Sequence, residues 1–303
     1  MGYTDTMFEK VEIPKIKEHR WPKVIGILLL LIVFLSAGIF LYHDFYTLKE
    51  ADLILFMGQS NMSGAAGSAS EAPKLIKGAG YEYKAVTQPE GLCELTEPFG
   101  KEEHREGYLD DRELLERKGS LVTAFVNAYY QETGERVVAV SASRGSARVS
   151  SFNNYLVEDV LDRLQNAKRV MTEQKVNIRH IYMVWFQGET DAYLNTSEEE
   201  YIGEMQKLLY TLQPEGVERC FVIQIGNVEM SGEKVDTAPM QEIQQKLCEI
   251  DENFVLVSVL PKTLDEEKYM EDQIHFTQQG LNLIGEDAGK HAGNYVKTNS
   301  EGK

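Results

Sequence analysis

Three cysteines in 303 residues are too few, and of the wrong parity, for a disulfide framework. None of Cys93, Cys220 and Cys248 stands in CxxC spacing, so a thiolate metal site is excluded as well. Cys220 opens an apolar run and Cys248 closes a helical stretch, and both read as buried free thiols. Positive charge is also scarce: 31 Lys and Arg face 48 Asp and Glu, for a formal net charge of −17. Such a chain repels a polyanion rather than neutralising it, so no nucleic-acid partner is expected. Internal repeats and low-complexity tracts are missing too. What remains, 43% apolar and 26% charged residues, is a globular composition that excludes wholesale disorder. The length suits one large α/β domain or two ordinary ones.

Charge is absent altogether from residues 24–42, VIGILLLLIVFLSAGIFLY. At 1.5 Å per residue a helix here reaches about 28 Å, close to the roughly 30 Å hydrocarbon core of a bilayer. A buried core helix of that length would keep a polar face, and this one has none. A cleaved signal peptide usually has an apolar region of about 7–15 residues after a short basic start; here the run is longer and 23 residues precede it. Ser36-Ala37-Gly38 is the cut site if cleavage does occur. The expectation is therefore an uncleaved anchor. Residues 1–23 carry five Lys and Arg, whereas residues 43–62 carry only Lys49. Basic flanks stay cytoplasmic, which puts the N-terminus inside and everything after Tyr42 outside. The division that follows is a tail (1–23), a membrane helix (24–42), a linker (43–50), a catalytic-size domain (51–296) and a short C-terminal tail (297–303). After residue 23 the chain holds 26 Lys and Arg against 44 Asp and Glu. A domain that acidic is held at a membrane by its helix, not by attraction to anionic lipid.

The domain alternates. Continuous apolar runs at 51–58, 137–141, 178–186, 220–225 and 254–259 read as buried parallel strands. Stretches with helical spacing lie near 120–132, 155–174, 198–213, 238–250 and 277–296. Strands alternating with helices predict a parallel sheet covered on both faces. Residues 93–118 break the pattern, with nine acidic and five basic residues and little apolar content. They read as a solvated surface excursion; the functional alternative is a lid or substrate-facing loop.

In an open parallel sheet, reactive groups gather at the carboxyl ends of the strands. The first strand ends in Gly58-Gln59-Ser60-Asn61-Met62-Ser63-Gly64. A serine where a strand turns into a helix is placed to act as a nucleophile, with helix N–H groups beside it for a developing oxyanion. Its plainer reading is a helix N-cap. The segment is not a GxSxG elbow, because Met62 stands where the second glycine belongs. Of six histidines, His19 is in the tail, His43 at the membrane edge, His104 in the charged excursion, His180 at the start of a strand and His291 deep in the last helical stretch. His275 remains, in Asp272-Gln273-Ile274-His275-Phe276. An Asp three residues before a His can curl round to accept the Nδ1 proton and leave Nε2 facing a serine. A surface acid and a capping histidine are the alternative. Two further strand ends carry Ser143-Arg144-Gly145-Ser146, whose glycine permits a tight turn, and Trp185-Phe186-Gln187-Gly188-Glu189-Thr190-Asp191. Trp185 and Phe186 read as core packing.

GQSNMSG, the Gly145 turn, WFQGETDA and DQIHFTQQGLNLIGE together resemble the conserved blocks of the SGNH-type hydrolases. The nearest likeness is the sialate O-acetylesterase branch, related to carbohydrate esterase family six, in block order over residues 51–292. The resemblance implies a three-layer αβα sandwich on a flavodoxin-like parallel sheet, and removal of acetyl groups from an acetylated glycan without metal or other cofactor. It also implies Ser60 as nucleophile, His275 as base and Asp272 as its orienter, with Glu189 as an alternative acid. Oxyanion donors would be the Ser60 and Gly145 N–H groups and Gln187, which stands where other members place an Asn. Gln59, Asn61 and Arg144 would contact substrate. The second block departs from the usual Gly-Gly-Thr with a Trp downstream, reading Arg144-Gly145-Ser146 with Phe152. An esterase for another small acyl or lipid ester, or a non-catalytic carbohydrate-binding relative, is the alternative function.

Overall fold

The computed structural model describes residues 25, 27–32, 48–103, 116–230 and 232–300. Met1–Thr47 and Leu48–Lys303 are two separate units. In the first, residues 25 and 27–32 are helical and exposed. The remainder of the expected 24–42 span lies outside the described residues, and among those described no helix is long and apolar enough to cross a membrane.

The second unit is a mixed α/β fold built on a seven-stranded sheet of order β3-β2-β4-β1-β5-β6-β9. Its strands are β1 (Glu50–Gly58), β2 (Gly80–Tyr83), β3 (Leu92–Glu94), β4 (Val137–Ser141), β5 (Asn177–Phe186), β6 (Arg219–Ile223) and β9 (Phe254–Ser258). A two-stranded hairpin, β7 (Glu229–Met230) and β8 (Glu233–Lys234), stands apart from it. All sheet pairings are parallel except β2–β3. The expected all-parallel sheet therefore needs correcting at one edge. β2 and β3 are four and three residues long, and both contain glutamate, so neither shows the apolar run that betrays a buried strand.

The central strand β1 is buried from Ala51 to Gly58 because both of its faces are covered. Leu53, Leu55 and Met57 face a core shared with α3 (Val157–Glu173), α5 (Glu198–Leu212) and α6 (Ala238–Ile250). Ile54 and Phe56 face α2 (Val122–Thr133) and α8 (Gln278–Ser300) on the other side. Period-two alternation thus feeds two separate cores, which is why no polar residue interrupts the strand beyond Asp52. On the second face α2 and α8 touch backbone to backbone: a Cβ at Gly289 would lie 2.2 Å from the Phe125 carbonyl oxygen. α5 starts where expected because Ser197 caps it, accepting from the Glu200 N–H, with three glutamates in the first turn.

The charged 93–118 stretch is not simply a solvated excursion. Phe99, Glu103 and Arg117 are buried. The Glu97 carboxylate accepts from the Ser120 N–H, the Ser120 hydroxyl and the Thr123 hydroxyl at the start of α2. The charged residues are drawn in because they satisfy buried backbone groups and one another. Residues 104–115, His104 among them, lie outside the described residues.

Candidate active site

The site forms at the carboxyl ends of β1, β4 and β5, together with the loop before α8. Gly58 ends β1 at φ +144°, and a Cβ there would lie 2.1 Å from the Phe186 carbonyl oxygen, so only glycine lets β1 and β5 close up at this point. The turn is pinned on both sides: the Gln59 N–H donates to Phe186 O at 3.1 Å, and the Arg144 N–H donates to Gly58 O at 2.8 Å. Ser60 then opens the short helix α1 (Ser60–Ser63). It is not the N-cap. That place belongs to Gln59, and the Ser60 hydroxyl instead lies 2.8 Å from His275 Nε2.

His275 arrives on a loop between α7 (Glu266–Tyr269) and α8. A bridge between Met270 and Phe276 closes the loop, as does a bond from the Glu271 N–H to His275 O. Asp272 works with both oxygens. Oδ1 accepts the Ile274 and His275 N–H groups at 2.7 Å each, and Oδ2 meets His275 Nδ1 at 2.8 Å. Burial by itself would raise the Asp272 pKa, but the bonds from the His275 ring and from these two N–H groups outweigh it and hold the carboxyl below its ordinary value. The structure thus brings Ser60, His275 and Asp272 into one chain of contacts. Glu189 is elsewhere: at the start of the short helix α4 (Glu189–Tyr193) and fully buried, it accepts from Asn61 Nδ2 at 2.7 Å and makes no hydrogen bond to the histidine among the described residues. Burial raises its pKa, opposed by the Asn61 contact.

The expected oxyanion donors separate into two groups. Ser60 N–H, the first of its helix, and Gly145 N–H have no acceptor among the described residues. Gly145 sits in a tight turn held by the bond from Ala147 N–H to Arg144 O, with Ser146 at φ 55°. Gln187 does not belong with them. Its two amide hydrogens go to Ala147 O at 3.0 Å and Asp191 Oδ2 at 2.5 Å, and its Oε1 accepts from Tyr201 at 3.4 Å. No N–H is left for an oxyanion. The Gln187 side chain braces the site instead of lining it.

The three expected substrate contacts, Gln59, Asn61 and Arg144, are buried, as is Ser60. Gln59 Oε1 accepts from the Gly188 and Thr190 N–H groups. Arg144 points inward, into a cleft of about 10 Å³ shared with Arg117, Arg163, Glu103 and Asp159. Burial, then the neighbouring Arg163 and Arg144, lowers the Arg117 pKa to about 10, so it stays charged at neutral pH. Arg117 donates to Ser141 Oγ, Ser143 Oγ and Ser143 O, and so stiffens the segment leading into Gly145.

Two residues of this framework escaped the sequence reading. Asp191 accepts from the Val149 N–H, Gln187 Nε2 and Thr196 Oγ1, locking the 187–191 turn to the segment after Gly145. Its only trace in sequence is its place four residues after Gln187. Arg117 left none, because its partners come from a distant strand. Trp185 and Phe186 are fully buried as expected, with Trp185 edge-on to Phe152 at 4.9 Å. Cys220 and Cys248 are free thiols, Cys220 buried and Cys248 partly so. Among the described residues no three His, Cys, Asp or Glu side chains are grouped to hold a metal.

A seven-stranded, mostly parallel sheet with a Ser–His–Asp chain at its carboxyl edge is the arrangement of a serine hydrolase on a mixed α/β fold. The family model for the carbohydrate esterase, sialic acid-specific acetylesterase domain matches residues 50–293, and the chain belongs to that family. It is a serine esterase, a carboxylic ester hydrolase of the carbohydrate acetylesterase kind. Among solved structures it is similar to a protein from Arabidopsis thaliana, at 18% identity and TM-score 0.60, covering 81% of this chain and 98% of that one. It is also similar to NanS, at 10% identity and TM-score 0.55, covering 84% and 99%. A carbohydrate acetylesterase from Xanthomonas citri matches at 14% identity and TM-score 0.51, over 83% of this chain and 57% of that one. At these identities the likenesses establish the fold. A search of curated proteins finds no significant match.

Proposed function

We propose that this chain is a membrane-anchored, extracytoplasmic O-acetylesterase that removes acetate from an acetylated glycan by two-step acyl transfer through Ser60. The observation that carries the reading is the pair of 2.8 Å contacts linking Ser60 to His275 and His275 to Asp272. His275 takes the Ser60 proton as the hydroxyl oxygen attacks the acetyl carbonyl. Asp272 holds the Nδ1 proton and stabilises the imidazolium that results. The Ser60 and Gly145 N–H groups receive the negative oxygen, each such donor typically contributing about 2.7–4 kcal/mol to the transition state. The imidazolium then protonates the departing sugar oxygen. Water, activated by the same histidine, releases acetate and regenerates Ser60.

The anchor reading is supported by 19 uncharged residues at 24–42 behind a basic tail, and it places the domain outside the membrane. The surface beside the triad bears on the sugar. A cavity of about 560 Å³ includes Asp272 in its wall and carries Glu229, Asp236, Glu266, Glu267 and Glu271 against the lone cation Lys234. That field opposes an anionic sugar and favours a neutral one.

The test is acetate release by the intact protein from O-acetylated xylo-oligosaccharide and O-acetylated sialic acid, beside Ser60→Ala. Wild type is expected to release acetate, the neutral substrate faster at low ionic strength. Ser60→Ala is expected to lose on the order of 10⁴-fold or more. No release from either sugar would favour a binding module. Turnover that climbs with acyl chain length would favour a lipid ester.

A further inference from the structure

Ser60 is flanked by two carboxamides, and neither reaches towards solvent. Gln59 turns to the Gly188–Thr190 backbone. Asn61 turns the other way: Nδ2 donates to Ile274 O at 3.1 Å, and Oδ1 accepts from the Phe276 N–H at 3.1 Å. The groups it grips belong to the residues on either side of His275. Its side-chain amide therefore pairs with residues 274–276 much as the peptide group of a neighbouring strand would. Ser60 and Asn61 are adjacent on one helical turn, so the backbone that carries the base is tied to the backbone that carries the nucleophile, one residue away from each.

A carboxamide is nearly symmetric in shape, and such a grip is unambiguous only if something selects which end is which. The second Asn61 amide hydrogen goes to Glu189 Oε1 at 2.7 Å. A flipped amide would set oxygen against oxygen at Glu189 and at Ile274, and N–H against N–H at Phe276. Glu189 is fully buried, and its other oxygen has no hydrogen-bond partner in the described structure.

We propose that Asn61 is a positioning residue that sets the Ser60–His275 alignment by holding the peptide groups on both sides of His275, and that Glu189 serves it by fixing the orientation of its carboxamide. The proposal rests on the esterase reading above. Asp272 aims the imidazole ring, whereas Asn61 aims the backbone that carries it. A displacement of about 1 Å at a reacting pair costs around 10²-fold in rate, which sets the scale of the expected effect.

The experiment compares kcat and KM on a soluble acetyl ester for the intact protein and for Asn61→Ala, Glu189→Leu and Glu189→Gln, each first shown to be folded by circular dichroism. Ser60→Ala is run alongside. Asn61→Ala and Glu189→Leu are expected to lose about 10–10² in kcat with KM little changed, because the acetyl site is intact and only the alignment is lost. Glu189→Gln still offers Oε1 to Asn61 and should stay within about threefold of wild type, with the pH profile of kcat/KM unmoved. Should Asn61→Ala fail to fold, Asn61→Asp keeps the shape and the acceptor while removing the donor, and the same loss is expected. Full kcat in the Asn61 variant overturns the proposal. So does an equal loss in Glu189→Gln and Glu189→Leu, or a shifted pH profile in Glu189→Gln, since either means that the Glu189 charge acts on His275 directly. Activity surviving in Ser60→Ala would instead overturn the esterase reading.

Discussion

At the scale of single residues, two carboxylates near one histidine receive opposite treatment. Asp272 has a side chain 48% exposed, yet its pKa lies below normal because three N–H groups converge on it. Glu189 is sealed from water, and burial raises it. Only the first lies within hydrogen-bond reach of His275 Nδ1 and can hold its proton. Asp272→Asn is therefore expected to lower kcat by roughly 10³–10⁴-fold while leaving KM nearly unchanged, because an amide no longer enforces the productive tautomer. Steady-state kinetics near neutral pH would show this, and a loss under about tenfold would move the orienting role elsewhere. A serine at a strand end and an Asp-x-x-His made Ser60, His275 and Asp272 candidates in the sequence, and the family resemblance gave them their roles with Glu189 as an alternative acid. The bonding of the amides was not legible there. A motif shows that Gln59, Asn61 and Gln187 are present, but which backbone groups their carboxamides bind depends on neighbours 40 to 215 residues away.

At the scale of elements, the five long strands and five long helices fall close to their expected bounds. Each buries a continuous run or a helical stripe, and burial is what hydrophobic patterning reports. The strands β2 and β3, at the β3 edge of the sheet, escaped because they are short and are held by pairing, not by apolar length. Glu82 in β2 is fully buried, accepts the Gly100 N–H at 3.0 Å and lies 3.8 Å from Lys84 Nζ. Burial, only partly offset by Lys84 and Gly100, raises its pKa from the ordinary 4.5 to about 7. Between those values the folded protein holds a proton that the unfolded chain releases, so stability declines as pH rises through that window and the decline is complete above about 7. Glu82→Gln removes the slope. Its stability in urea should equal that of wild type below about pH 4.5 and exceed it by up to about 3 kcal/mol at pH 8. Equal pH dependence in the two proteins would mean that Glu82 titrates normally.

At the scale of the whole molecule, the proposed location outside the membrane rests on the distribution of charge and apolar length. Protease added to intact cells should digest the region after residue 42 and spare residues 1–23, as read by antibodies to each end. Full protection of the C-terminal part would refute the orientation. What the sequence by itself determined is everything carried by local periodicity and by rare residue types: the alternating α/β plan, the uncharged run, and a short set of candidates that included Ser60, His275 and Asp272. Only the tertiary structure decided which polar side chains are consumed in holding the site. It turned Gln59, Asn61, Arg144 and Gln187 inward and drew part of the charged 93–118 stretch into the domain. The physical reason is that a hydrogen bond spends a specific donor on a specific acceptor, and the chain assigns those partners only when strands distant in sequence have packed side by side.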